Sequence, residues 1–499
     1  MPSIALFLLI ALPWLNPFSP GPTPAALPLL FSWACATVLL VGGARLTVHG
    51  PSGRLAHTTA MAWLAAALLS AVLGLLQYFG ASAGLGVWVN STGLGEAFAN
   101  LRQRNQFASL TNIGLAALLW WVAQGEPAAG AEAGRTGGQR GRTALAVAAA
   151  VLLGIGNAAS SSRTGLVQLL MLLALAWVWG GWRSSALGRV LLAATLAYAL
   201  AALALPLLLG LDPQAAGILA RLRDGGPDCA SRLTLWGNVL HLIAQQPWLG
   251  WGWGELDYAH FITLYPGARF CDILDNAHNL PLQLAVELGV PAALLLCGTG
   301  VWLVARERPW RERDASRQLA WAVLAVILLH SLLEYPLWYG PFQIAAGLSI
   351  GLLWRSPARP AGAYRSFIDS SYALAGIVLV SLAYAAWDYQ RVSQIYRTPN
   401  MRSAAYREHT LAKIQDSWLF QNQVRFAELT TTPLTRANAP RVEALASALL
   451  HFSPEPRVLE KLIESAVLLG HDQQALYYLL RYQAAFPEHH ARWARANAR

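Results

Sequence analysis

The residues best suited to chemistry lie in the stretch Asp275-Asn276-Ala277-His278-Asn279-Leu280-Pro281, where a long polar loop meets an apolar segment. Pro281 suits the first turn of a helix, because its missing N–H would be unpaired there, and Asn279 suits the cap before it. His278 would then lie beside the positive end of a helix, which disfavours imidazolium and keeps the ring neutral at about pH 7. A neutral imidazole can take a proton from an alcohol, so His278 is a candidate general base. The alternative is a histidine that only caps or hydrogen-bonds the loop.

Two arginines lie where an anion could bind. Arg163 follows Ser160-Ser161-Ser162 and opens an apolar segment. Hydroxyls, backbone N–H groups and the guanidinium could together hold a phosphate there. Arg232 begins an amphipathic segment and could reach the same anion. This segment is followed by a Trp/Gly run (residues 247–254) that is suited to the lipid headgroup region. The alternatives are an Arg163 that snorkels to the membrane interface and an Arg232 that pairs with a loop aspartate.

Two further polar clusters flank apolar segments. Arg104 lies in the dense polar stretch 100–107, which either lines the same cavity or anchors the chain at the interface. His330 and Glu334 are four residues apart and would share one face of a helix before Pro336 ends it. They could orient one another, position an acceptor, or form a purely structural pair.

The composition indicates a polytopic membrane protein. Of 499 residues 55% are hydrophobic and 12% charged, and the mean hydropathy is +0.40. The net charge of +10 favours anionic lipid or phosphate ligands, whereas nucleic acid is a poor partner for a chain embedded in a bilayer. We expect no metal and no cofactor. The loop acids are too scattered to form a metal site. If the reaction released a diphosphate, arginines could stabilise its charge in place of a metal ion.

The sequence predicts an all-α fold with about eleven membrane helices, since each needs roughly 20 apolar residues. The segments are about 3–19, 25–43, 57–79, 107–124, 143–159, 164–182, 188–211, 280–304, 318–333, 341–354 and 368–387. The N-terminus shows no cleavable signal peptide and reads as a membrane helix. Arginines concentrate in alternate loops, which predicts a cytoplasmic N-terminus and a periplasmic C-terminus; the largest group is Arg306, Arg308, Arg311, Arg313 and Arg317.

We predict four regions: N-terminal membrane helices (1–211), a periplasmic loop (212–279), C-terminal membrane helices (280–388) and a small periplasmic helical domain (389–499). The last has apolar periodicity and stop signals at Gly470 and Pro487, a layout that resembles tetratricopeptide-like hairpins. It is either a plain structural cap or a docking surface for a protein acceptor. Loop 125–142 is Gly/Ala-rich and predicted to be mobile.

Two of the four cysteines, Cys229 and Cys271, lie in the long outer loop. An oxidising periplasm would permit a disulfide between them, and two free thiols are the alternative. Cys35 and Cys297 fall inside membrane segments, where packing is their expected role.

Several of these motifs resemble the O-antigen ligase/polymerase superfamily. His278-Asn279, nine residues and then Gly289 is similar to the outer-loop signature of O-antigen ligases, although Ala292 stands where that signature usually has Gly, Thr or Tyr. Ser-Ser-Arg163-Thr-Gly, and Arg232 followed by Pro-Trp-Leu-Gly-Trp-Gly, also resemble this superfamily.

Within it, Leu101–Ala108 and the stretch from His330 through Glu334-Tyr335-Pro-Leu-Trp-Tyr resemble the bacterial O-linked oligosaccharyltransferases of the PglL type, which glycosylate pilins. The resemblance implies membrane helices with a large periplasmic loop, and metal-independent transfer of a glycan from undecaprenyl diphosphate. Carried over by residue, His278 would be the base and Arg163 and Arg232 the diphosphate ligands. Arg104 and Tyr335 are weaker candidates.

The predicted function is therefore inverting transfer of a glycan to a Ser/Thr hydroxyl of a periplasmic protein such as pilin, at the periplasmic side of the bacterial inner membrane. An O-antigen ligase would instead use lipid A-core as acceptor, and an O-antigen polymerase a second lipid-linked glycan. A lipid or solute transporter is the non-enzyme alternative; it predicts inverted repeats and ionisable residues near the bilayer midplane, which the sequence does not display.

Overall fold

A computed structural model describes residues 3–15, 26–49, 53–86, 88–90, 92–125, 137–223, 228–354 and 361–497. These residues form α-helices joined by turns and short 3-10 segments, with no strand among them. The α-helices are α1 (Ser3–Leu15), α2 (Ala26–His49), α3 (Gly53–Tyr78), α4 (Arg104–Ala123), α5 (Gly137–Ala159), α6 (Arg163–Val178), α7 (Ser185–Leu208), α8 (Gly217–Arg223), α9 (Arg232–Gln245), α10 (Leu256–Ile262), α11 (Leu280–Leu288), α12 (Val290–Glu307), α13 (Ala315–Ser331), α14 (Gly340–Leu353), α15 (Ala361–Val392), α16 (Gln421–Thr431), α17 (Ala439–Leu449), α18 (Pro456–Leu469), α19 (Asp472–Ala485) and α20 (Pro487–Asn497).

The helices are those of a multi-pass membrane protein, and the all-α prediction is confirmed. Among the described residues, the helices long and apolar enough to cross a membrane are Gly53–Tyr78, Arg104–Ala123, Arg140–Ala159, Ser185–Leu208, Val290–Arg311 and Ser370–Tyr396. Shorter apolar helices are Ser3–Leu15, Ala26–Gly42, Arg163–Val178, Ala315–Ser331 and Gly340–Leu353. The count of eleven spans stays a prediction. Most of the loop predicted to be mobile lies outside the described residues.

Contacts divide the chain into two compact units. Unit 1 comprises Met1–Asp224 and Leu303–Leu382, and unit 2 comprises Gly225–Trp302 and Ala383–Arg499. Most of the predicted periplasmic loop therefore shares a unit with the predicted C-terminal domain. The four-region division of the chain stays a prediction.

Small residues hold unit 1 together. Helices α3, α4, α5 and α7 pack through buried alanines such as Ala67, Ala117, Ala150 and Ala194. In a membrane the lipid tails are as apolar as the side chains, so helix association depends on close packing, and small residues permit it.

In unit 2 the C-terminal helices enclose their own core. α18 is strongly amphipathic and buries Leu459, Leu462 and Ile463. Gly470 ends α18 in a left-handed conformation (φ 75°), as the sequence predicts. Phe261 of α10 is buried in the same core, so the C-terminal helices pack directly on the loop segment that contains α10. Their relation to tetratricopeptide hairpins stays a prediction.

Candidate active site

The backbone around His278 has the capped geometry predicted from the sequence. α11 begins at Leu280, and the Asn279 side-chain oxygen accepts a hydrogen bond from the Leu282 N–H at 3.1 Å. Pro281 lies in the first helical turn. His278 itself has a positive φ of 50° and donates its backbone N–H to Asn276 Oδ1 at 2.9 Å. A non-glycine residue in this conformation is uncommon and is held there by its surroundings.

Two side chains hold Ala277, the residue before His278. Gln283 Oε1 accepts from the Ala277 N–H at 2.7 Å, and Trp236 Nε1 donates to the Ala277 carbonyl at 3.1 Å. Asn276 and Ala277 are buried, whereas His278 is half-buried. The backbone is thus fixed, while His278 itself is not fully buried beside the start of α11.

The predicted segment 280–304 is not one helix, because Gly289 separates α11 from α12. The tryptophan loop, which we define as Pro247–Gly254, crosses this break. Its Trp251 N–H donates to the Val286 carbonyl at 2.8 Å, and the Val290 N–H donates to the Pro247 carbonyl at 2.8 Å. A Cβ on Gly289 would lie 2.2 Å from the Trp248 carbonyl oxygen.

Gly289→Ala should therefore destabilise unit 2. Gly289 has φ 87° and ψ 159°, a region open essentially to glycine alone, and the added methyl meets backbone atoms. We expect a loss of about 2 kcal/mol or more in the free energy of unfolding, measured by chemical denaturation in detergent. Gly237→Ala on α9 is the control, since nothing lies within 4 Å of its Cβ; it should raise stability by about 0.5–1 kcal/mol. Equal effects of the two variants would contradict the steric account.

Arg232 is the first residue of α9. Ser231 caps this helix by accepting from the Thr234 N–H at 3.1 Å. Just before it, Cys229 and Cys271 form a disulfide with their Cα atoms 5.2 Å apart. This bond ties the start of α9 to the segment that leads to His278.

Arg163 is the first residue of α6 and its side chain is exposed. The expectation that the preceding serine hydroxyls would be left for an anion is wrong for Ser160 and Ser162. Ser160 Oγ donates to the Asn157 carbonyl at 2.5 Å, and Ser162 Oγ accepts from the Gly165 N–H at 3.0 Å. Both serines are buried. The exposed guanidinium of Arg163 can still meet an anion at this helix start.

Asn105 joins two of the predicted clusters. Ser162 Oγ donates to Asn105 Oδ1 at 2.6 Å, and Asn105 Nδ2 donates to Glu334 Oε1 at 3.1 Å. The expected sharing of one helix face by His330 and Glu334 is wrong, because α13 ends at Ser331 and Glu334 lies beyond it.

His330 is buried and contacts α4. Its Nδ1 lies 2.9 Å from Ser109 Oγ, which also accepts from Gln168 Nε2 at 2.8 Å. Asn112 Nδ2 donates to Gln168 Oε1 at 3.2 Å. Buried polar side chains among membrane helices are costly unless paired, so a connected set of this size indicates a specific structural or functional role.

Arg104 and Tyr335 lie near these groups in the chain but have other contacts. Arg104 Nη2 forms an ion pair with Glu96 Oε1 at 3.2 Å, and its guanidinium lies 4.9 Å from the Phe98 ring centroid. Tyr335 stacks on Tyr339 with ring centroids 5.9 Å apart. A diphosphate would have to compete with Glu96 for Arg104.

Comparison with known families agrees with the motifs. Residues 148–297 match the O-antigen ligase family, and residues 97–122 match the protein glycosylation ligase family. Residues 318–499 match the C-terminal family of the virulence factor membrane-bound polymerase. Together these matches support the O-antigen ligase superfamily as the family of this chain. Within this superfamily it is similar to the PglL-type protein glycosylation ligases.

Two relatives in the superfamily come from Acinetobacter baylyi. The chain is 26% identical to a general O-oligosaccharyltransferase over 169 residues, which are 33% of this chain and 29% of the relative. It is 26% identical to a ComP-specific O-oligosaccharyltransferase over 129 residues, 25% of this chain and 22% of the relative. The matched part of the chain thus spans under a third of the length of either relative.

The superfamily matches cover the candidate residues unevenly. The O-antigen ligase match includes Arg163, Arg232 and His278, and the protein glycosylation ligase match includes Arg104 and Asn105.

Sequence reasoning missed the bridging role of Asn105, and it missed Ser109, Asn112 and Gln168 altogether. A signal was available, because positions 105, 109 and 112 lie on one face of α4, a polar stripe in an apolar helix.

Asn105→Leu is expected to lower the stability of unit 1. The change removes a partner from the buried Ser162 hydroxyl and from the half-buried Glu334 carboxylate. Leaving the buried hydroxyl without its acceptor should cost about 1–3 kcal/mol. Chemical denaturation in detergent measures it, with Asn422→Leu at an exposed position of α16 as the matched control. An unchanged unfolding curve for Asn105→Leu would show that the bridge contributes nothing.

Stability should also depend on pH through Asp257. Burial raises the pKa of this carboxyl to about 7, and the like charges of Glu255 and Asp275 add to the effect, while the Tyr258 N–H, donated at 2.7 Å, opposes it. Because the folded pKa exceeds the unfolded value of 3.8, stability falls as the pH rises from about 4 to about 7 and then levels off. Asp257→Asn should therefore raise the thermal midpoint above about pH 7 and leave it unchanged at about pH 4. Asp272→Asn, at an exposed site, is the control; a benefit of Asp257→Asn that is independent of pH would refute this assignment.

Proposed function

We propose that this protein transfers a glycan from undecaprenyl diphosphate to a Ser/Thr hydroxyl of a periplasmic protein such as pilin, with inversion at the anomeric carbon. The observation that carries the proposal is the fixed, capped backbone that holds the half-buried His278 at the start of α11. The names of the two relatives, both O-oligosaccharyltransferases, support a protein acceptor. In this proposal the active site and C-terminus face the periplasm, and the N-terminus lies in the cytoplasm.

In the proposed mechanism His278 takes the proton of the acceptor hydroxyl. The oxygen attacks the anomeric carbon, a new C–O bond forms, and the bond from that carbon to the diphosphate breaks. Arg163 and Arg232 stabilise the charge that develops on the departing diphosphate. His330, Glu334 and Tyr335 would position the acceptor, through the contacts that His330 and Glu334 make with α4.

The test is incubation of the purified protein with an undecaprenyl diphosphate-linked glycan and either pilin or lipid A-core. A mass increase of pilin equal to one glycan is the expected result. Modification of lipid A-core alone would identify a ligase, and lengthening of the lipid-linked glycan would identify a polymerase. Either result would replace the proposed acceptor while leaving the donor in place.

A further inference from the structure

The tryptophan loop exposes large apolar side chains in a well-fixed backbone. Trp248, Leu249 and Trp253 are 76%, 85% and 65% exposed. Trp251 points inward instead, and its Nε1 donates to the Leu242 carbonyl at 3.0 Å. Exposed apolar surface of this kind marks a contact with another molecule or with a membrane.

The position of this loop along a membrane helix identifies the contact. The Val290 N–H donates to the Pro247 carbonyl, and Gly289 lies directly against the Trp248 carbonyl. Val290 is also the first residue of the candidate span Val290–Arg311, whose Leu294 and Leu295 are largely exposed, as lipid-facing side chains would be. The loop cannot leave the start of this span without breaking these contacts.

A helix that just crosses the hydrocarbon core has its ends at the boundary with the headgroups. Tryptophan is enriched at that depth, because the indole has an apolar body and one N–H donor. We propose that the tryptophan loop lies in the headgroup region of the bilayer, with Trp248, Leu249 and Trp253 in contact with lipid.

The exposed face of α9 extends this apolar surface. Leu233 and Leu240 are exposed and seven residues apart, so they lie on one face of the helix, which ends at Gln245 immediately before the loop. The opposite face buries Leu235, Val239 and Leu242.

Lipid contact at the tryptophan loop would limit the height of His278 above the bilayer. The loop is bonded to Val286 and Glu287 of α11, and α11 has nine residues, which span about 14 Å at 1.5 Å per residue. His278 precedes this helix directly. If the proposed function holds, the base is therefore confined to the zone that a lipid-linked diphosphate occupies.

Site-directed spin labelling tests the lipid contact. A label at Leu249→Cys is introduced with Cys35→Ala and Cys297→Ala, in the full chain reconstituted in liposomes. Collision rates with oxygen, which concentrates in lipid, and with a water-soluble nickel chelate give the depth of the label. Labels at Leu295→Cys on α12 and at Gln473→Cys, an exposed polar position on α19, serve as the lipid and water references.

The expected oxygen-to-nickel ratio at residue 249 is several times that at residue 473 and approaches that at residue 295. A ratio equal to that at residue 473 would overturn the proposal, as would a label that becomes shielded only when pilin is added, since the loop would then be a protein-docking surface. The measurement requires no glycan transfer. A failed transfer assay therefore leaves the lipid contact intact, and a water-exposed loop refutes it even in an active enzyme.

Discussion

His278→Asn is expected to lower the rate of glycan transfer by about 10²–10⁴-fold while the protein remains folded, because general-base catalysis contributes a factor of that order. Asparagine is the informative replacement. His278 has a φ of 50°, which asparagine tolerates better than alanine, so the variant removes the imidazole without straining the backbone. The measurement is the initial rate of pilin modification at saturating donor and acceptor.

His241→Asn on α9 provides the matched control for this variant. His241 is also half-buried in unit 2, where its ring lies 5.4 Å from that of Tyr265, and it has no role in the proposed chemistry. Its replacement should leave the rate unchanged. If His278→Asn transfers glycan at the wild-type rate, a different group must accept the proton.

Arg163→Ala and Arg232→Ala are each expected to reduce kcat by about 10²–10³-fold, the usual effect of removing one group that stabilises transition-state charge. The lysine variants should recover only part of the rate, because lysine keeps the charge but lacks the planar fork that binds two phosphate oxygens. Inhibition by added inorganic diphosphate should weaken in parallel with the rate.

The control for these variants is Arg183→Ala, at an exposed position just beyond the other end of α6. It should change neither the rate nor the inhibition. Slow variants whose inhibition by diphosphate stays at the wild-type level would mean that Arg163 and Arg232 act on some other part of the reaction.

Local features of this chain could be predicted from the sequence, and long-range contacts could not. The cap at Asn279 and the end of α18 at Gly470 depend on neighbouring residues, and the structure has both. The break at Gly289 falls inside a predicted membrane segment. The contact of this break with the tryptophan loop, some forty residues earlier in the chain, is the part that the local sequence does not show.

The same distinction applies to the candidate site. The sequence predicts that the serines before Arg163 are open to an anion, since nothing in their own segment shows that Asn105 accepts a hydrogen bond from Ser162. That bond joins two residues that are 57 positions apart in sequence. The roles of Arg163, Arg232 and His278 stay predictions, because they concern a bound substrate.

Helix α10 contributes to two hydrophobic cores. Leu256 and Ala259 pack into the cluster that contains Ala277, beside His278, while Phe261 is buried in the core of the C-terminal helices. Arg481 of α19 adds a hydrogen bond from its Nε to the Ile262 carbonyl at 2.7 Å. The C-terminal helices α16–α20 are consequently not a detachable module. A chain truncated before α16 would expose the outer side of α10 to water. A chimera that takes these C-terminal helices from a relative would also need that relative's version of α10.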